Sequence, residues 1–329
     1  MTRTVHVLSL GGTIAMTTRA DGRGVVPALD AAALVAGVPE LAAVATIEAE
    51  EFRRLPGAHL RLTDLIALAG RIRELVAAGS DGVVVTQGTD TIEEVAFALD
   101  LLSGADRPVV VTGALRGPGQ PGADGPANLL AAVRVAAGDE ARGLGVVVTM
   151  NDEIHAARFV RKLHTSRPSA FASPSAGPIG WVAEDRVRIP LRPAARVVIG
   201  APLGTQPPPV ALVTVALGDD GRVLRELPDL GFGGVVLAGF GAGHVPGALV
   251  DDITRLARRI PVVLASRCGA GEGYRATYGF PGSERDLLSR GLLSAGALDP
   301  FKARILLSLA LGAGWRTERI AGAFDQLSG

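Results

Sequence analysis

The chain has 329 residues, enough for two domains with cores of their own. Its 33 basic residues balance 33 acidic ones, so no net field argues for nucleic acid or a membrane as partner. The single cysteine, Cys268, excludes an intrachain disulfide framework and fits a reducing compartment.

In chain order, Val5 to Leu10 reads as a strand. It begins so early that no room is left for a signal peptide, no apolar run approaches transmembrane length, and the expected location is cytoplasmic. The strand closes in Gly11-Gly12-Thr13-Ile14-Ala15. Glycines let backbone N–H groups approach a ligand, although a turn with a locally bonded hydroxyl is the plainer alternative for Thr13. Thr17 to Gly24 is polar and aperiodic, the pattern of a loop that could close over a site. Helices are expected at Ala31 to Ala43 and at Leu60 to Ala78, the latter with Leu65, Ala69, Ile72 and Val76 on one face.

The stretch from Val83 to Glu94 changes period midway. Val83 to Val85 is a β-branched run suited to a sheet buried on both faces. Gly88 permits a turn. Beyond it Ile92, Val95, Leu99 and Leu102 fall on one helical face, with Glu93 and Glu94 in the first turn, where the helix dipole favours acids. Thr89, Asp90 and Thr91 sit between, where an open α/β sheet places its ligand. Asp90 or Thr91 could equally be an N-cap, with Thr91 and Glu94 as a capping box.

A strand follows at Pro108 to Thr112, then a loop at Arg116 to Asp124. Its Gly117 to Gly122 run spells a dinucleotide fingerprint, but Pro118 and Pro121 remove N–H groups that pyrophosphate binding needs. Pro126 to Ala136 reads as a helix and Val146 to Met150 as a buried strand. Asn151 to Phe171 is polar and irregular, holding His155, Arg158, Arg161, Lys162, His164, Thr165 and Ser166. Only two lysines occur, Lys162 and Lys302. Arginine keeps its proton in a protein and lysine can release one, so Lys162, in its polar cluster, is a candidate for proton transfer. Lys302 reads as a surface lysine kept by chance.

Residues 190–209 are rich in Pro, Gly and Arg and read as a linker. Beyond it, strands at Val210–Val215, Val235–Phe240 and Val262–Ser266 alternate with helices near Ala248–Arg258, Pro300–Leu311 and Thr317–Gln326. The expected architecture is α/β: a larger N-terminal open-sheet domain (1–189), the linker, and a smaller parallel α/β domain (210–329). The five histidines lack metal-ligand spacing, and no Walker A or nucleophile-elbow serine occurs.

Leu10 to Ala15 and Thr86 to Thr91 resemble the two signature motifs of the bacterial-type L-asparaginase/glutaminase family. Ala123 to Leu129, Arg158 to Phe171 and Pro300 to Arg304 resemble further segments of it, in order along nearly the whole chain. The resemblance implies the family's two-domain fold and cofactor-free, metal-free hydrolysis of a small amide through a threonine acyl-enzyme. Thr13 would be the nucleophile. Thr89, Asp90 and Lys162 would move protons, and N–H groups of the Gly-Thr turns would hold the oxyanion. Gly57, Ala58, Gly88, Thr89, Asp90 and His244 would face the amino-acid substrate. Glu284 would come from a second copy in a homodimer or homotetramer.

The implied reaction is L-asparagine to L-aspartate and ammonia; the alternatives are a glutaminase, another small-amide hydrolase, or a non-catalytic amino-acid sensor. The chain departs from the family where a lid tyrosine is usual, about Val25. It departs again where a serine and a glutamine usually grip the α-carboxylate and amino group, here Gly57 and Ala58, and where His244 replaces an asparagine.

Overall fold

The first of two compact units, Met1–Pro193, begins with strand β1 (Thr4–Ser9), followed by the short antiparallel pair β2 (Met16–Thr18) and β3 (Val25–Pro27). The computed structural model describes residues 2–18, 25–27, 29–194, 196–199 and 206–328. Thr17 and Thr18 are therefore strand rather than loop, with Val25 as the partner of Thr18; the rest of the expected loop, 19–24, lies outside the described residues.

Helix α1 (Ala31–Ala36) ends at Gly37, and a separate 3-10 turn covers Pro39–Ala43. The single helix expected there is broken because Pro39 supplies no N–H and restrains Val38. Next comes β4 (Thr46–Glu51), parallel to β1 at the sheet edge. Helix α2 (Leu62–Ala77) buries Leu65, Leu68, Ala69, Ile72 and Leu75. Strand β5 (Gly82–Thr86) is buried throughout, and α3 (Ile92–Ser103) is apolar nearly all round because it lies fully inside the unit. Then follow β6 (Val109–Thr112), α4 (Gly125–Ala137) and β7 (Val146–Met150).

The segment expected to be irregular, Asn151 to Phe171, is partly ordered strand. Asn151 and Asp152 adopt φ of 52° and 61°, the left-handed pair that a two-residue hairpin demands and that Asn and Asp tolerate. They turn β7 back into β8 (Glu153–Ala156), which pairs antiparallel to it. A second small ladder joins β9 (Arg161–Lys162) to β10 (Phe171–Ala172), with Lys162 opposite Phe171. The hairpin of β11 (Gly180–Ala183) and β12 (Arg186–Arg188) completes the unit. Among the described residues eight strands form one sheet, in the order β12-β11-β8-β7-β6-β5-β1-β4. The five from β7 to β4 run parallel and the other three pairings are antiparallel.

The second unit, Ala194–Gly329, holds β13 (Val210–Thr214), α5 (Arg222–Glu226), β14 (Gly234–Gly239), α6 (Val250–Ala257), β15 (Val262–Ser266), α7 (Glu284–Ser289), β16 (Leu293–Ser294), α8 (Pro300–Gly312) and α9 (Thr317–Ser328). Among its described residues four strands form one sheet, all parallel and in chain order. Lys302, expected at the surface, is fully buried in the first turn of α8. Its Nζ lies 2.9 Å from Asp299 Oδ2, and Asp299 also caps the helix. A buried ammonium survives only with such a partner. Among the described residues no helix is long and apolar enough to cross a membrane.

Candidate active site

Neighbouring parallel strands bring the two Gly-Thr turns together. β1 and β5 pair with Ser9 opposite Thr86, and Leu10 N donates to the Thr86 carbonyl at 2.8 Å. Gly12 has a φ of 86°, and a Cβ built on it would lie 2.0 Å from the backbone nitrogen of Gly88. No side chain fits there, so the two turns touch backbone to backbone. Thr13 begins a one-turn 3-10 helix, Thr13–Ala15, and Thr89 begins another, Thr89–Thr91. Both hydroxyls thus stand at the carboxyl ends of adjacent strands, the usual ligand edge of a parallel sheet.

Lys162 reaches this edge from β9. Its Nζ donates to Thr89 Oγ1 at 2.9 Å and to Asp90 Oδ1 at 2.8 Å. The lysine side chain is mostly covered while Asp90 is exposed, so the ion pair itself contributes little to stability. Its significance is geometric: a hydroxyl, an ammonium and a carboxylate in series. A cavity of about 310 Å³ opens beside them, lined by Asp90, Lys162, Leu163, His164 and Thr165.

Thr91 makes no side-chain cap at the start of α3, which removes the capping-box alternative. Its hydroxyl donates instead to the Gly57 carbonyl at 3.2 Å. Gly57 is buried against this turn, and a Cβ there would meet Thr91 Oγ1 at 3.1 Å and the Gly88 carbonyl oxygen at 3.2 Å. Gly57 and Gly88 therefore sit at the same edge as Thr89, whereas Ala58 is exposed. The proline-containing loop after β6 spends its donors on itself: Gly117 N bonds Gln120 Oε1, and Leu115 N and Arg116 N bond the Asp124 carboxylate.

In the second unit His244 Nε2 donates to Glu284 Oε2 at 3.1 Å. The Glu284 side chain is fully buried, and the N–H groups of Thr277 and Tyr278 also donate to it, at 2.7 and 2.6 Å. Burial works to raise its pKa, yet these donors together outweigh it and hold the carboxyl below its ordinary value. Edge-on contacts with Tyr278 and Phe280 fix the His244 ring.

Three features escaped sequence reasoning. The Lys162 backbone N–H donates to Glu93 Oε2 at 2.6 Å, a contact across 69 positions. Asn128 uses its amide nitrogen on the Gly113 carbonyl (3.0 Å) and its oxygen on Asn151 N (2.9 Å), tying α4 to the β7–β8 turn. His155 is fully buried, its Nδ1 3.0 Å from Ser173 Oγ, and burial lowers its pKa to about 4. None has a local signal beyond a polar residue type.

Residues 4–195 match the family model described as "Asparaginase, N-terminal", and residues 209–324 match "Glutaminase/Asparaginase C-terminal domain". The "L-asparaginase" of Bacillus licheniformis is 35% identical, covering 94% of this chain and 96% of that protein. The "Probable L-asparaginase periplasmic" of Haemophilus influenzae is 33% identical over 93% and 88%. The solved structure of the probable cytoplasmic L-asparaginase from Campylobacter jejuni is similar at a TM-score of 0.89 and 33% identity, covering 98% of this chain and 99% of that one.

Proposed function

The chain belongs to the asparaginase family, and on that premise we propose that it hydrolyses L-asparagine to L-aspartate and ammonia. The observation that carries the chemical reading is the series Thr89–Lys162–Asp90 beside the Thr13 turn. In the proposed course, the Thr13 hydroxyl loses its proton and its oxygen attacks the side-chain amide carbon. The C–N bond breaks, ammonia leaves with the proton it needs, and an ester joins Thr13 to the aspartyl group. Water then gives a proton to the Thr89–Lys162 pair as its oxygen attacks the ester carbon; the bond from that carbon to the Thr13 oxygen breaks, the proton passes to Thr13 and aspartate leaves.

A threonine hydroxyl is a weak nucleophile until a base takes its proton, and a lysine held on a second threonine is suited to relay one. The N–H groups of the abutting turns would face the oxyanion; one such donor is worth about 3–4 kcal/mol where measured. Asp90 would hold the substrate's ammonium. Gly57 has no polar side chain, so backbone groups near Gly88 would carry the α-carboxylate. His244 and Glu284 would complete the site from a second copy of the chain, making at least a dimer the working form. We place the protein in the cytoplasm, which its single cysteine and its similarity to the C. jejuni protein, named as probably cytoplasmic, both favour; the H. influenzae relative is named periplasmic.

Ammonia release by the purified protein, measured with asparagine and glutamine in parallel, tests the reading. Asparagine is expected to give the higher kcat/KM. A clear preference for glutamine makes the protein a glutaminase, and binding of either without ammonia makes it a sensor.

A further inference from the structure

Lys162 is held at both ends by one five-residue stretch. Its Nζ bonds Thr89 and Asp90, and its backbone N–H bonds the Glu93 carboxylate at 2.6 Å. Thr89 to Thr91 form the 3-10 turn that runs straight into α3, and Glu93 stands in the first turn of that helix. The strand carrying Lys162 is itself short. β9 has two residues, one partner strand, and a flanking bond from Leu163 N to the Ala170 carbonyl. A two-residue ladder fixes a backbone weakly, and the charge-assisted bond to a helix adds an anchor at Lys162 itself.

We propose that Glu93 is a positioning residue: its carboxylate, by accepting the Lys162 N–H, sets the distance between Lys162 Nζ and Thr89 Oγ1. The inference rests on the assignment of Lys162 to the proton relay. Glu93 lies one helical turn from the reacting groups and acts through the lysine backbone. The sequence explains Glu93 by the helix dipole alone, which any first-turn acid would satisfy. The structure adds a specific acceptor.

The test compares wild type, Glu93→Gln, Glu93→Ala and Lys162→Arg by kcat, KM, pH profile and melting temperature. Misplacing a catalytic group by about 1 Å can cost on the order of 10²-fold. Glu93→Ala is therefore expected to lose roughly 10- to 100-fold in kcat with KM changed by less than about 2-fold. Glu93→Gln keeps an acceptor oxygen at the same reach and is expected to recover most of the activity with an unshifted pH profile. If Glu93→Ala keeps wild-type kcat and only melts earlier, Glu93 is a helix-stabilising acid and the proposal fails. If Glu93→Gln is as poor as Glu93→Ala with a displaced pH profile, the charge matters rather than the acceptor, and it fails again. Should Glu93→Ala not fold, Glu93→Asp keeps the charge and withdraws the acceptor, and full kcat there overturns the proposal. Near-normal turnover in Lys162→Arg sinks the relay itself, whatever the Glu93 variants do.

Discussion

Lys162 and Lys302 are the only lysines in a chain that otherwise uses arginine, and their surroundings differ. Lys162 bonds a hydroxyl and an exposed carboxylate. An arginine there would keep a cation beside Asp90 but could not pass a proton. Lys162→Arg is expected to fold normally and to lose roughly 10²-fold or more in kcat, the usual range for a general acid–base group. Turnover near wild type would reduce Lys162 to an electrostatic fixture. Lys302 reads in sequence as a lysine that could become arginine without effect. Its full burial reverses that expectation: the larger guanidinium must displace packed neighbours, at a cost of about 1–3 kcal/mol. Lys302→Arg should therefore lower the unfolding midpoint while leaving the kcat of the folded enzyme unchanged. The burial could not be read from sequence, because the ammonium's partner is the helix's own cap, Asp299, three residues away. Opposite charges at that spacing also pair on exposed helix faces.

Elements differ in how plainly their sequences announce them. The β5–turn–α3 unit is legible because its apolar period changes where the chain changes conformation, and β6, β7, β13, β14 and β15 are legible as short apolar runs rich in valine. β4 is not, since Thr46, Glu48 and Glu50 alternate only with Ile47 and the small Ala49, and Glu51 breaks the pattern. Backbone pairing to β1 makes it a strand, and its acids suit a sheet edge. β9 and β10 are two residues each and carry no periodicity at all. The β7–β8 hairpin had a signal in Asn151-Asp152, masked by the polar run that follows.

That hairpin carries an acid-sensitive group. His155, in β8, is held neutral by burial, with its pKa lowered from 6.5 to about 4; the Glu153 carboxylate is the nearby acid, 3.3 Å from Nε2. Because the folded pKa lies below the unfolded one, the stabilisation is complete above pH 6.5. It is lost as pH falls toward 4, where the unfolded chain takes up a proton that the folded one does not. The full swing is roughly 3 kcal/mol. His155→Gln, which keeps a polar group toward Ser173, should flatten the stability–pH curve between those values by up to about 1.4 kcal/mol per pH unit. Equal slopes for both proteins in denaturant titrations at pH 4 to 6.5 would remove His155 from the account of acid sensitivity.

Over the whole molecule, two α/β units each bury a separate apolar core, and the first carries both threonine turns and Lys162. The candidate site was largely legible in residue types and motif order, because Gly-Thr turns at strand ends can be read from a single sequence. What holds the parts in place was not, since Glu93, Asn128 and Gly57 act through contacts between distant positions. The proposed chemistry stands on Thr13 as the group acylated by the substrate. The most direct measurement is steady-state ammonia release from asparagine by Thr13→Ala beside wild type, with melting temperatures taken on the same preparations. The expected result is an unchanged melting temperature and a loss of about 10²- to 10⁴-fold in kcat. A folded Thr13→Ala protein that retains more than about a tenth of wild-type turnover, well short of that range, would contradict the account.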